Sequence, residues 1–211
     1  MMTVPVEGRN TRRKERTRSA LVHAAQQLLA SGHAEETSIK AITELADVGF
    51  GSFFNHFANK TDLFDAALTE VAARYESWLD ARLDGVTDPL QRLSLSIRLT
   101  GRMHQTHPDE ATLLIGQATF MHAGKPALAG RVRADIVAAV TELSPDTAAG
   151  PSTIIAAAGA IAAVLAAAAT LPEDERAQLA DSLVADVLRM LGADDAVIRR
   201  LVAEPLAEPL V

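Results

Sequence analysis

Gly51, Ser52, Asn55, His56 and Asn59 share one side of a short stretch whose other side is built from Phe50, Phe53, Phe54 and Phe57. The polar set pairs no nucleophile with a base and has no metal-ligand spacing. Its chemistry is close approach and hydrogen bonding to a second surface. The rings stand at i, i+3, i+4 and i+7, the period of one stripe of an α-helix and not of a strand. They are four of only six phenylalanines in 211 residues. The stretch is therefore predicted to be a short helix that packs on one side and stays open for contact on the other.

Elsewhere the sequence offers no catalytic constellation. It has no Cys, which removes disulfides, thiol nucleophiles and Cys-ligated zinc. No GxSxG elbow is present, and Gly49-Phe50-Gly51-Ser52 lacks the later Gly-Lys of a phosphate loop. The alternative chemistry is a metal-responsive sensor or metalloenzyme using His104, His107 and His122. The first two can share a helix face, but Pro108 interrupts a helix there and no HExxH is present. The expectation is a protein that is not an enzyme, with no catalytic residue, cofactor or metal.

The elements that must position the Phe-rich stretch are legible around it. Leu21, Val22, Ala25, Leu28 and Leu29 recur at helical spacing from about residue 15 to Ala30, and Ser31-Gly32 supplies a stop. Thr37 or Ser38 caps a second, two-turn helix carrying Ile39, Ile42 and Leu45, broken at 47–49. Gly49 then takes the N-cap of the Phe-rich helix, and two short helices joined by a tight turn make a helix-turn-helix. Beyond Lys60 the helices lengthen, with Pro89, Pro108 and Pro126 placed at their starts. Helices are expected over about 61–83, 88–106, 108–122, 125–143, 152–170 and 172–191, with a short segment from about 193. The fold class is all-α, about 9–10 helices, with a boundary expected between 1–60 and 61–211.

Charge is unevenly spread. The net charge of −7 argues against nucleic acid when taken globally. Residues 1–60, however, carry eight Lys+Arg against six Asp+Glu, and residues 61–211 carry twelve against twenty-one. The positive charge is densest in Arg9, Arg12, Arg13, Lys14, Arg16 and Arg18, opposed only by Glu15. No apolar stretch follows those charges, so neither a secretory signal nor an anchor is expected and the predicted location is cytoplasmic. The run 154–169 is sixteen residues, mostly Ala, and shorter than the roughly 20 needed to cross a bilayer. It is expected to be a buried helix, suited to close helix packing in a core or an interface, with no membrane involved.

The segment ETSIKAITELADVGFGSFFNHFANKTDLF, residues 36–64, resembles the DNA-binding head of TetR/AcrR-family transcriptional regulators. Thr37, Ser38, Ile39, Ile42, Ala46, Val48, Gly51, Phe53, His56, Phe57 and Lys60 fall at the family's positions without a gap. The departures are Thr43 for Ala, Asp47 for Gly, Gly49 for Ser, Ser52 for Thr and Phe54 for Tyr. The resemblance implies an N-terminal three-helix DNA-binding domain and a larger helical ligand-binding and dimerisation domain. It implies a regulator, expected to be a repressor released from a palindromic DNA operator by a small-molecule effector.

By family position, Phe53 and Phe57 would pack inward against Ile42, Leu45 and the first helix, with Phe50 and Phe54 toward the groove edge. Ser52, His56 and Lys60 match places that contact phosphates, with Thr37 or Ser38 doing so through the start of the second helix. Lys40 and Gly51 match places that face bases, and Asn55 lies on the same polar side. Arg12 and Arg13 belong to a mobile basic arm able to follow phosphates or enter the minor groove. A homodimer is expected through the helices at about 152–170 and 172–191. An effector cavity is expected from Trp78, Met103, His104, Gln117, Phe120 and Met121, where polar groups on apolar stripes would orient a ligand.

Overall fold

The computed structural model describes residues 7–118, 127–146 and 148–206. Ten α-helices stand among them: α1 Glu7–Ala30, α2 Ile39–Leu45, α3 Phe50–Phe53, α4 Lys60–Arg82, α5 Pro89–Arg102, α6 Pro108–Ala118, α7 Ala127–Leu143, α8 Pro151–Ala168, α9 Glu173–Met190 and α10 Asp195–Ala203. A 3₁₀ turn, Met103–Gln105, links α5 to α6. No strand is present among the described residues. Two compact units divide the chain, Met1–Val71 and Ala72–Val211, so the division falls within α4.

In the N-terminal unit, Leu21, Val22 and Ala25 of α1, Ile42 of α2, Phe53 and Phe57 around α3, and Leu63 and Ala67 of α4 form one buried cluster. Removing these side chains from water is the main stabilising term of so small a unit. Ser38 caps α2, its hydroxyl accepting from the Ala41 N–H. The turn that ends α2 places Asp47 at φ 52°, the left-handed conformation that Asp tolerates better than most residues and Gly best. That is the position where the family pattern has Gly.

Three local expectations are corrected. The first helix begins at Glu7, not near 15, so Arg12 and Arg13 stand on regular exposed helix and not on a mobile arm; Arg and Lys are good helix formers, and i→i+4 bonding simply continues through them. The side chain of Arg9 lies outside the described residues. Leu45 is 51% exposed where inward packing was expected, because Ile42 and the buried Thr43 already fill that face of the two-turn α2. The Phe-rich helix is a single turn, capped at its end by Phe54, with Phe57 reached through a further turn closed by its N–H on the Phe53 carbonyl.

In the C-terminal unit α5 packs along α9, close enough that a Cβ on Gly101 would meet the Ala180 Cβ at 2.3 Å. The seam is pinned by charge. Arg98, 7% exposed, donates to Asp181 Oδ1 at 2.9 Å, and Arg102 grips the same carboxylate through two nitrogens at 2.9 and 2.7 Å. A second bond from Arg98 reaches the Glu204 carbonyl at 2.6 Å and ties down the chain after α10. The apolar helix α8 is only 33% buried, and Ile155 on it is 71% exposed. By length and composition it is the one helix among the described residues apolar enough to cross a membrane.

Candidate functional site

The N-terminal unit divides its four rings by role. Phe53 and Phe57 are 0% and 6% exposed, whereas Phe50 and Phe54 are each 53% exposed and meet edge to face at 5.6 Å. Gly51 and Asn55 are exposed beside them, and Ser52 and His56 are half-buried. Nothing in the unit lies within 4 Å of where a Gly51 Cβ would be. The missing side chain is thus not required by packing within the chain. The result is a polar, thin patch flanked by two exposed rings.

Cations border it. Arg18 stacks its guanidinium over Phe57 at 5.4 Å from the ring centroid. The His56 imidazole is held below its ordinary pKa, first by burial and then by the positive charges of Lys14 and Arg18. A phosphate beside those cations would reverse that electrostatic penalty. Arg12, Arg13, Lys14 and Arg16 are exposed along α1. Lys40 is exposed on α2 and loosely paired with Glu44 at 3.8 Å, so its ammonium remains available to a stronger acceptor.

Two residues assigned to phosphate by resemblance have partners inside the unit. Lys60 donates to the carbonyls of Ala34, Glu35 and Thr37 at 3.1, 2.6 and 3.2 Å. An ammonium has three N–H donors, so all are committed here, and Lys60 holds the α1–α2 loop. Thr37 donates its hydroxyl to the His33 carbonyl at 2.6 Å, in the same loop. Ser38 remains exposed at the start of α2.

In the C-terminal unit, Trp78 stacks on Tyr75 at 6.1 Å and takes the Arg82 guanidinium over its ring at 4.2 Å. Its Nε1 is buried and without a hydrogen-bond partner, as is Nε2 of His104. Burial, and after it the charge of Arg176, lowers the His104 pKa, so the neutral imidazole is favoured. Met103 is 3% exposed next to it. The side chain of Gln117, and Phe120, Met121 and His122, lie outside the described residues. Among the described residues no group of three or more His, Asp or Glu could hold a metal. His107 instead pairs with Thr106 at 2.7 Å and meets the Trp78 ring edge-on.

Sequence reasoning missed one group in this unit. Asp80 on α4, Arg92 on α5, and Arg131 and Asp135 on α7 form a linked set of ion pairs. The signal was present as opposite charges four apart in the apolar pattern of α7.

Residues 21–67 match the family model for bacterial regulatory proteins of the tetR family. A 94-residue stretch is 35% identical to the HTH-type transcriptional regulator TcmR of Streptomyces glaucescens, covering 43% of this chain and 40% of that protein. The match thus spans less than half the length of that relative. Among solved structures, RolR in complex with resorcinol is 25% identical, with 94% of this chain and 98% of that one covered at a TM-score of 0.66. AibR, solved with isovaleryl coenzyme A and operator DNA, shares the fold at 15% identity and a TM-score of 0.60, over 82% of this chain and 98% of that one. Residues 21–67 thus resemble the helix-turn-helix unit of the tetR family of bacterial regulatory proteins, and the chain follows the fold of a solved neighbour almost end to end.

Proposed function

We propose that this chain is a ligand-responsive, DNA-binding transcriptional regulator, a repressor released from a palindromic operator by a small molecule. The observation that carries this is the division of rings at α3: two close the core, two stay exposed beside a glycine that nothing in the chain crowds. A recognition helix in the major groove needs such a face, and the exposed cations of α1 supply phosphate contacts. Residues 1–60 are read as the DNA-binding part and 61–211 as the effector-binding and dimerising part. AibR, of the same fold, is known with operator DNA, and RolR with a small phenol, which supports both halves of the reading.

One short recognition helix meets few base pairs, so affinity requires two copies over two half-sites. The exposed side of α8, with Ile155, Gly159 and Ala163, is apolar and small enough for a second copy to lie against it. Buried between copies, α8 has no need of a lipid bilayer, and the regulator works in the cytoplasm as a non-enzymatic switch. An effector that binds the DNA-incompetent dimer better shifts the population off the operator.

Sites selected from random duplex DNA test this. The selected pool should converge on an inverted repeat, bound by two chains with an affinity that falls steeply with salt. A protein that stays monomeric and prefers no inverted repeat over random competitor at low salt is not this regulator.

A further inference from the structure

Arg131 is a buried guanidinium, its side chain 13% exposed, that has partners on one side only. Its Nη1 meets Asp80 Oδ1 at 2.9 Å. Its Nε and Nη2 are buried and have no hydrogen-bond partner. Those two atoms form the side-on edge of the guanidinium fork, two parallel donors fit to grip one or two oxygen acceptors. Asp135, 11% exposed, faces that edge with Oδ2 at 3.9 Å from Nε, too far for a hydrogen bond. Unsatisfied donors of this kind are costly unless something fills the place.

The chemistry of the filler follows from the local charge. Asp80 and Asp135 balance Arg92 and Arg131, and Arg92 reaches both carboxylates at 3.2 and 3.5 Å. An anion on the Arg131 edge would face Asp135, and a cation on Asp135 would face Arg131. A hydroxyl suits both at once, because its oxygen accepts and its hydrogen donates. Burial is the largest influence on the Asp135 carboxyl and raises its pKa against the charges of Arg131 and Arg92 and the hydrogen bonds of Arg92 and Ser96. The side chains of Arg131 and Asp135 are only 13% and 11% exposed, so a hydroxyl held between them is largely withdrawn from water.

We propose that the gap between Arg131 and Asp135 binds the hydroxyl of a small, uncharged, otherwise apolar molecule, an alcohol or phenol. The hydroxyl oxygen accepts from Arg131 Nε and Nη2 and its hydrogen is donated to Asp135 Oδ2. This rests on the reading of the C-terminal part as effector-binding, and it names the class of effector and two residues that select it. Trp78, the only tryptophan, stands two residues from Asp80 on α4 and its N–H is also unpartnered, so its fluorescence reports on this region.

The test is titration of the full-length protein with phenol, resorcinol, benzoate and toluene, following Trp78 emission and thermal stabilisation. Phenol or resorcinol should give a saturable response, with benzoate and toluene at least about tenfold weaker, the value of one charge-assisted hydrogen bond. Arg131→Lys keeps the charge opposite Asp80 and loses the fork. The double variant Arg131→Gln/Asp135→Asn keeps the group's charge balance. Each folded variant should lose about tenfold or more in phenol affinity, with the lysine variant decisive should the double variant not fold. The proposal is overturned by no saturable response to either phenol, by benzoate or toluene binding as well as phenol, or by Arg131→Lys binding as wild type. DNA affinity measured in parallel separates the two readings. Phenol that saturates the Trp78 response without weakening operator binding sinks the effector reading and leaves the site, whereas no saturable phenol response in a protein that a non-phenolic compound releases from DNA sinks the site and leaves the effector reading.

Discussion

Asp181 receives three hydrogen bonds from Arg98 and Arg102, and the Glu204 carbonyl accepts a further one from Arg98. Arg131, in the same unit and nearly as buried, leaves two of its three nitrogens unmet while Asp135 stands just out of reach. Both groups began as arginines and aspartates on apolar helices. The first is closed, and its charges hold α5 to α9; the second is open on one edge, and its charges await a partner. Burial alone does not separate a structural ion pair from a binding site. The count of donors against acceptors does.

The largest expected effect breaks the closed group. Asp181→Ala leaves two guanidiniums at the seam without their carboxylate and should cost about 3–5 kcal/mol in urea unfolding, against about 1–3 kcal/mol for Asp80→Ala, whose side chain is 61% exposed but takes the one hydrogen bond of the buried Arg131. Equal losses would erase the distinction between the groups. Burial raises the Asp181 pKa, but the hydrogen bonds and charges of Arg102 and Arg98 outweigh it and the folded value is depressed. Its stabilisation is therefore complete above the unfolded value of about 4 and is lost as pH falls through the lower folded value. Acid titration of wild type against Asp181→Asn checks this, since the variant should show a shallower loss of stability below about pH 4.

A second pair of effects concerns closed contacts, one in each unit. Lys60→Ala frees three carbonyls of the α1–α2 loop and should destabilise the N-terminal unit by about 1–3 kcal/mol. It should leave the salt dependence of DNA binding unchanged. A slope flatter by about one unit would return Lys60 to the phosphates. Gly101→Ala drives a methyl into Ala180 and should cost about 1–3 kcal/mol, read as a fall in the urea midpoint.

The smallest effect on stability sharpens the contrast most. Gly51→Ala meets open space within the chain and replaces a helical glycine, so stability should rise by about 0.5–1 kcal/mol. Operator affinity should fall in the same variant. A more stable protein with undiminished DNA binding would remove Gly51 from the interface.

The sequence alone determined where most helices begin, because caps and proline starts are local signals, as at Ser38, Asp88, Pro89 and Pro108, although not the start of α1 or the single turn of α3. Ring spacing put all four phenylalanines on one stripe, and only the family resemblance implied their division, in which Phe53 and Phe57 are the buried pair. Only the tertiary structure decided which charges meet. Lys60 lies over twenty residues from the carbonyls it holds, Arg98 lies 83 from Asp181, and Asp80 is brought to Arg131 from another helix. A charge in a sequence has no direction until packing fixes its neighbours. Whether it becomes a strut, a surface cation or an open donor is therefore set by distances that the local pattern does not encode.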